Sequence, residues 1–280
     1  MLKSLFISVY LTLLVVTTSQ SLYHLFLSFS AFWLLVLLAN GVMLGFFARL
    51  FLFPTARTGR LIILHITQWG LGLAIVMSHN TIVPAILYGV GLPIIGSSLY
   101  IFWYSHLDRQ SNELLVSGKT LPDFELITIE GQKVEVNQWL PGQKLILFYR
   151  GNWCPLCMAQ IDEIALQYQQ LNAMGFHIVL VSPQPHKFTV KLAAKYDVPF
   201  YFMQDEAGNT AKQLGIYAQQ GTPKGMELLG YESDTVLPTV LATDKNNKII
   251  FVDLTDNYRI RPEPKVFIEM IREHQQAMND

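Results

Sequence analysis

Not one aspartate or glutamate occurs in residues 1–104, and Lys3, Arg49, Arg57 and Arg60 are the only Lys or Arg there. Crossing the hydrocarbon of a bilayer takes about 20 apolar residues as helix, with about 17 at the lower end. Four apolar runs reach or approach that length: 2–18, 24–48, 61–78 and 82–104. The first has Lys3 at its front and small residues at Thr17, Thr18 and Ser19, features shared with a cleaved signal peptide. The cleavage signal is poor and another run follows at once, so a retained helix is expected. The basic residues lie at the front of the first run and in or beside the connection before the third, whereas 19–23 and 78–81 carry no Lys or Arg. The positive-inside rule puts the basic side in the cytoplasm, and an even number of spans returns the chain to it. The expectation is a membrane domain of about four helices over 1–104, integral to a bacterial inner membrane. Gly41 and Gly45 would let another helix come close, more readily within the bundle than at a dimer seam. Asn40, His65 and Gln68 sit at membrane depth, where helix-to-helix hydrogen bonding is favoured over a functional role. Pro84, Gly89, Gly91, Pro93 and Gly96 make the fourth run irregular. No cysteine lies in this part, so its helices cannot relay electrons by thiol exchange, and no cofactor is expected.

Residues 105–280 are of another kind. They hold the other 16 basic residues against all 21 acidic ones, a net charge of −5. No basic patch interleaved with aromatics points to nucleic acid. Residues 105–119 are polar and read as a linker or juxtamembrane helix, and 120–280 is long enough for one independent core. Alternation predicts a hairpin over 124–136 around Glu130, Gly131 and Gln132. Buried strands are expected at 145–149 and 176–182, a short one at 200–202, one at 235–242 that carries Pro238, and one at 248–253 after a turn at 245–247. Helices are expected from Pro155, over 186–196, over 207–214 and over 262–276, while 221–231 has no assigned form. Strands and helices in this order make a mixed sheet covered on both faces.

The chain has only two cysteines, Cys154 and Cys157, with two residues between them. They follow the apolar run 145–149 and a Gly151–Asn152 turn, and Pro155 suits the first turn of the helix after them. Cys154 is thereby placed at a helix N-terminus, where unsatisfied N–H groups and the dipole favour thiolate. Structural zinc wants four ligands and no second pair exists, so no metal is expected. A disulfide closing so small a loop adds little stability. Redox chemistry is the expected use.

The run from Trp153 to Cys157 between strand and helix, with Leu237-Pro238-Thr239 on a late strand, resembles the thioredoxin fold. Residues 120–280 as a whole resemble the peroxiredoxin-like branch of the alkyl hydroperoxide reductase/thiol-specific antioxidant family. The segments that carry the likeness are Leu121-Pro122-Asp123-Phe124, residues 148–157, Val181-Ser182-Pro183 and Asp256-Asn257-Tyr258-Arg259-Ile260-Arg261-Pro262-Glu263-Pro264. The resemblance implies an α/β thioredoxin-like domain behind an all-α transmembrane bundle. It implies Cys154 as the attacking thiol, Cys157 as the resolving one, and a redox-active disulfide between them. It also implies a cis bond before Pro238, whose backbone would dock a partner beside the sulfurs, with Trp153 shielding them. Two departures stand out. The hydroxyl residue that peroxiredoxins carry three positions before the first Cys is Gly151, and the buried acid that thioredoxins carry six positions before it is Phe148. Arg150 is a candidate source of positive charge near Cys154, set against a solvated place at the strand end.

Three functions follow in order of expectation. Thiol–disulfide exchange is favoured by the Cys-x-x-Cys, thiol peroxidase activity by the family resemblance, and a redox sensor acting on the helices by the fusion alone. The partner expected is a protein or small-molecule thiol or disulfide, the redox domain is expected in the cytoplasm, and an oligomer is left open.

Overall fold

The computed structural model describes residues 2–78 and 81–277. Two compact units form, Met1–Pro54 with Thr58–His106, and Thr55–Arg57 with Leu107–Asp280.

The first unit is helical: α1 Leu2–Leu27, α2 Ala31–Leu52, α3 Ile62–Ser78 and α4 Ile82–Tyr104. Three of these are long and apolar enough to cross a membrane, and α3, at 17 residues, is shorter. The expected turn at 19–23 lies inside α1, which runs on to Leu27. Buried Thr17 and Ser21 each donate a hydroxyl hydrogen bond to the carbonyl four residues back, so these polar residues are satisfied within a continuing helix. The connection actually falls at Ser28–Ser30 and still carries no Lys or Arg. The 78–81 connection includes His79 and Asn80, outside the described residues. Through 85–96 and 99–104, α4 adopts wide i→i+5 turns, with Pro93, which lacks an N–H, inside the first stretch.

The close helix approach is not at Gly41 and Gly45, where an added methyl would meet nothing within 4 Å. It is between α3 and α4: a methyl on Gly72 would lie 2.5 Å from the Gly89 carbonyl oxygen. Asn40 donates to Thr17 Oγ1 at 2.8 Å, and Gln68 donates to the Ala39 carbonyl at 2.9 Å. Two of the three polar residues Asn40, His65 and Gln68 thus bridge helices. His65 instead sets its ring edge-on to Phe102 at 5.0 Å.

The second unit holds a seven-stranded mixed sheet in the order β2-β1-β5-β4-β3-β8-β9. Its strands are β1 Glu125–Thr128, β2 Lys133–Glu135, β3 Gln143–Phe148, β4 Phe176–Ser182, β5 Tyr201–Gln204, β8 Thr239–Thr243 and β9 Ile249–Asp253. β3 runs parallel to β4 and antiparallel to β8, so it lies inside the sheet, next to the central strand β4. Alternation along β3 sends Ile146 and Phe148 into a cluster with Phe124, Leu126, Val181 and Leu241, and Leu145 and Leu147 to the opposite face. Helices α5 Val136–Trp139, α6 Pro155–Leu166, α7 Tyr168–Ala173, α8 His186–Ala193, α9 Asn209–Gln213 and α10 Pro264–Ala277 complete the unit.

The strand expected over 235–242 is broken in two. Thr235–Val236 (β7) pairs with Tyr217–Ala218 (β6) in a separate ribbon, and β8 begins only at Thr239. Pro238 has no N–H to give the ladder, so the break falls there. Residues 107–119 form no helix and are part of the packed unit, with Leu115 fully buried in the main cluster.

Candidate active site

β3 ends at Phe148, and the chain turns through Tyr149 to Trp153 into α6. Cys154 is the N-cap, with extended backbone (φ −92°, ψ 107°), and Pro155 follows at the first helical position. The Cys154 carbonyl accepts from the N–H groups of Cys157 and Met158, both at 3.1 Å. Both thiols are free and buried, Cys154 2% exposed and Cys157 wholly enclosed.

Their environments differ in sign. A hydrogen bond from Cys157 is the largest influence on Cys154. Opposed by burial and assisted by the charges of Arg150 and Arg261, it brings the Cys154 thiol down to about 6. Burial, together with the hydrogen bond to Cys154 and its charge, pushes the Cys157 thiol well up. The pair at neutral pH is therefore a thiolate on Cys154 held by the proton of Cys157.

Arg150 is not a solvated strand-end residue. It is 9% exposed, lies over the Trp153 ring at 4.8 Å and the Tyr258 ring at 5.9 Å, and donates to the Gly221 carbonyl. Its own carbonyl accepts from Thr235 Oγ1 at 2.7 Å. Trp153 is half-buried, and its indole fills the space beside Gly151. A Cβ on Gly151, whose φ is +152°, would fall 2.6 Å from Trp153 Nε1. The missing hydroxyl at 151 thus has a steric counterpart: the room it would need is taken.

Pro238 is buried, and the pairing of Thr239 with Phe148 sets it beside Tyr149. The Leu237–Pro238 peptide is trans, since no cis bond occurs among the described residues. Trans is the lower-energy isomer of an X–Pro bond by about 0.5–1 kcal/mol, and its neighbours here hold the chain on both sides. The Leu237 N–H donates to the Ile216 carbonyl at 2.7 Å, and the Pro238 carbonyl accepts from Arg109. The backbone groups proposed to receive a partner are already bonded.

Three groups near the cysteines were not identified as site residues from sequence. Tyr149 is fully buried, its hydroxyl accepting from Gln184 Nε2 at 3.1 Å, and burial first and the charge of Cys157 second raise its pKa. Gln184 Oε1 accepts from the Asn152 N–H at 2.9 Å and so holds the turn before the cysteines. Arg261, 5% exposed, brings Nη2 to 3.9 Å from Cys157 Sγ. Arg261 lies in the 256–264 segment, whose two arginines and two prolines were the available signal, but its contact with residue 157 spans 104 positions.

Over 156 residues the chain is 24% identical to a protein of Bacillus cereus named thiol-disulfide oxidoreductase ResA, covering 56% of this chain and 77% of that one. Over 113 residues it is 26% identical to peroxiredoxin 2 of Sulfurisphaera tokodaii, covering 38% of this chain and 53% of that one. A solved peroxidoxin BcpB of Mycobacterium tuberculosis overlays on 56% of this chain and 96% of its own, at 19% identity and a TM-score of 0.46. The redoxin family model matches residues 116–267, more than half of the chain, and the protein is a member of the redoxin family.

Proposed function

We propose that this is a membrane-anchored thiol–disulfide oxidoreductase that works through the Cys154/Cys157 dithiol. The observation that carries the reading is the asymmetry of the pair: an acidified thiol at the helix cap and a buried, protonated one a turn later. That is what two-step exchange needs. Cys154 thiolate attacks a disulfide and one thiolate leaves; Cys157 then attacks the mixed disulfide and releases the other. The curated relative named a thiol-disulfide oxidoreductase supports the same reading.

Peroxidase activity is the second reading, and two observations favour it: the relative named a peroxiredoxin, and the positive charge that Arg150 and Arg261 bring to Cys154. What still weighs against a peroxide acceptor is Gly151, where no hydroxyl can orient an O–O bond and the Trp153 ring takes the space. The full chain in detergent, chemically reduced and followed in single turnover, is expected to reduce a protein disulfide faster than a hydroperoxide. Fast thiol loss to peroxide with slow loss to disulfide reverses the ranking. Sluggish reaction with both moves the role to redox sensing.

We also infer that the redox domain faces the cytoplasm, from the placement of Arg49 at the end of α2 and of Arg57 and Arg60 in the connection after it. An impermeant thiol reagent reads sidedness best at a fully exposed position outside the reactive pair. Leu228 is 91% exposed. In a chain with both cysteines changed to Ser, Leu228→Cys is expected to be labelled only after the cells are permeabilised. Labelling of intact cells places the domain outside.

A further inference from the structure

The one site that the exchange mechanism leaves unexplained is the resolving thiol. Cys157 is enclosed, and burial holds its proton on. The position that carries a buried acid in thioredoxins is Phe148, whose side chain points into the apolar cluster with Phe124. Arg261 meanwhile is a buried guanidinium with Nη2 3.9 Å from Cys157 Sγ and an Nε that has no hydrogen-bond partner among the described residues. A buried charged donor left short of acceptors is costly unless its charge is used.

We propose that Arg261 is a catalytic residue of the second half-reaction: its guanidinium stabilises Cys157 as a thiolate once Cys154 has been capped. This rests on the oxidoreductase reading above, and the chemistry is that of the same dithiol. The groups that face Cys157 are Cys154 from the same helix end, Tyr149 from the end of β3, the Arg150 N–H, and Arg261 from the segment before α10. While Cys154 is a thiolate, its charge and its hydrogen bond keep the proton on Cys157. When Cys154 forms a mixed disulfide, that charge and that acceptor disappear together. Tyr149 stays neutral because burial raises it. Arg261 is then the charge left acting to lower the Cys157 thiol, 3.9 Å from its sulfur, and the Cys157 proton leaves at the moment it is no longer wanted.

The steps balance. Cys154–S⁻ attacks R–S–S–R′, the S–S bond breaks, and R′S⁻ leaves. The Cys157 proton passes to R′S⁻, giving R′SH. Cys157–S⁻ attacks the Cys154 sulfur of the mixed disulfide and RS⁻ leaves, taking a proton from water. The dithiol is oxidised by two electrons and the substrate disulfide is reduced by two. Arg261 keeps its proton throughout and acts by charge alone.

Dipyridyl disulfide, a neutral probe, releases one coloured thione at each step, so stopped flow on the reduced full chain in detergent separates attack from closure. A one-unit rise in a thiol pKa lowers its thiolate about tenfold below that pKa. Arg261→Gln is therefore expected to slow the second release about tenfold or more and move its pH midpoint upward, while the first release changes less. Arg261→Lys, which keeps the charge, is expected to restore the second phase to within several-fold and to cover the case in which Arg261→Gln does not fold. A second phase unchanged in Arg261→Gln, an equal loss in both phases, or no rescue by Lys overturns the proposal. If the wild-type chain releases no first thione, the oxidoreductase reading has failed instead. The same variants are then read with a hydroperoxide, where Cys157 closes on the Cys154 sulfenate with loss of water. Longer-lived, dimedone-trappable sulfenate in Arg261→Gln supports the role, and an unchanged lifetime overturns it.

Discussion

Cys157→Ser is expected to leave a protein that reacts once and stops, joined to its substrate through Cys154, whereas Cys154→Ser is expected to lose turnover with every acceptor. The reason is the order of the two thiols on α6. Only Cys154 is the cap residue, and only Cys154 is brought down to about 6. The serine hydroxyl at 157 cannot close the mixed disulfide, so the intermediate accumulates to stoichiometry and is visible by mass. Trapping through Cys157 in Cys154→Ser would reverse the assignment. The pH profile carries the sign. Alkylation of Cys154 should rise as pH increases through about 6 and level off above it, because the thiolate is the reactive form. Against an unperturbed thiol near 8.5, the thiolate fraction at pH 7 is about thirty times larger. Intrinsic nucleophilicity falls with pKa, by about tenfold over that interval, so the gain in attack rate is only a few-fold. In Cys157→Ser the profile should move to higher pH if the serine hydroxyl is a poorer partner, since the hydrogen bond from Cys157 is the largest cause of the shift.

Phe148→Asp is expected to be the most damaging single change in the second unit. Restoring the thioredoxin-like acid should not help, because Phe148 is turned away from the sulfurs. It is 1% exposed and its ring centroid lies 6.4 Å from that of Phe124, in a cluster of Leu, Ile and Val. Removing a buried phenyl costs about 3–5 kcal/mol from lost contact and the cavity left behind. A carboxyl there also has no apolar neighbour able to donate to it, and must be buried protonated or not at all. Unfolding in denaturant, followed by tryptophan fluorescence, should show a midpoint far below that of the wild type. Phe148→Leu should lose much less. A variant as stable as the wild type, or one with faster closure of the dithiol, would mean that position 148 reaches the site.

Much of this was legible in the sequence because the signals were local. The apolar run before Gly151 and the Pro155 helix start fixed strand, turn and cap within a dozen residues, and the cysteine pair lies between them. Periodicity also found the sheet strands, since alternating burial leaves a mark on each one separately. What was missed depends on contacts between distant positions. Arg261 meets Cys157 across the chain, and only the folded tail brings them together. Arg150 was an even choice between solvent and site, and its enclosure by Trp153, Tyr258 and Gly221 decides it. The apolar pattern of Thr235 to Ala242 is continuous and reads as one strand, although Pro238 interrupts the ladder. In the helical unit, Gly41 and Gly45 fit a known spacing, but the contact uses Gly72 and Gly89, which belong to different helices and form no motif in sequence.

The stretch 107–119 carries a lesson about modularity. Arg109 grips the Pro238 and Thr255 carbonyls and takes Asp256 through its own N–H. Asn112 donates to the Leu214 carbonyl, and Leu115 is a core side chain. What looks like a tether is a belt buckled at several points around the redoxin domain. The helical unit could be exchanged for another only ahead of this belt, near residue 106. A cassette cut at residue 119, where the polar composition ends, would carry off the buckle and leave the Pro238 carbonyl, one residue from the site's central strand pairing, without its guanidinium.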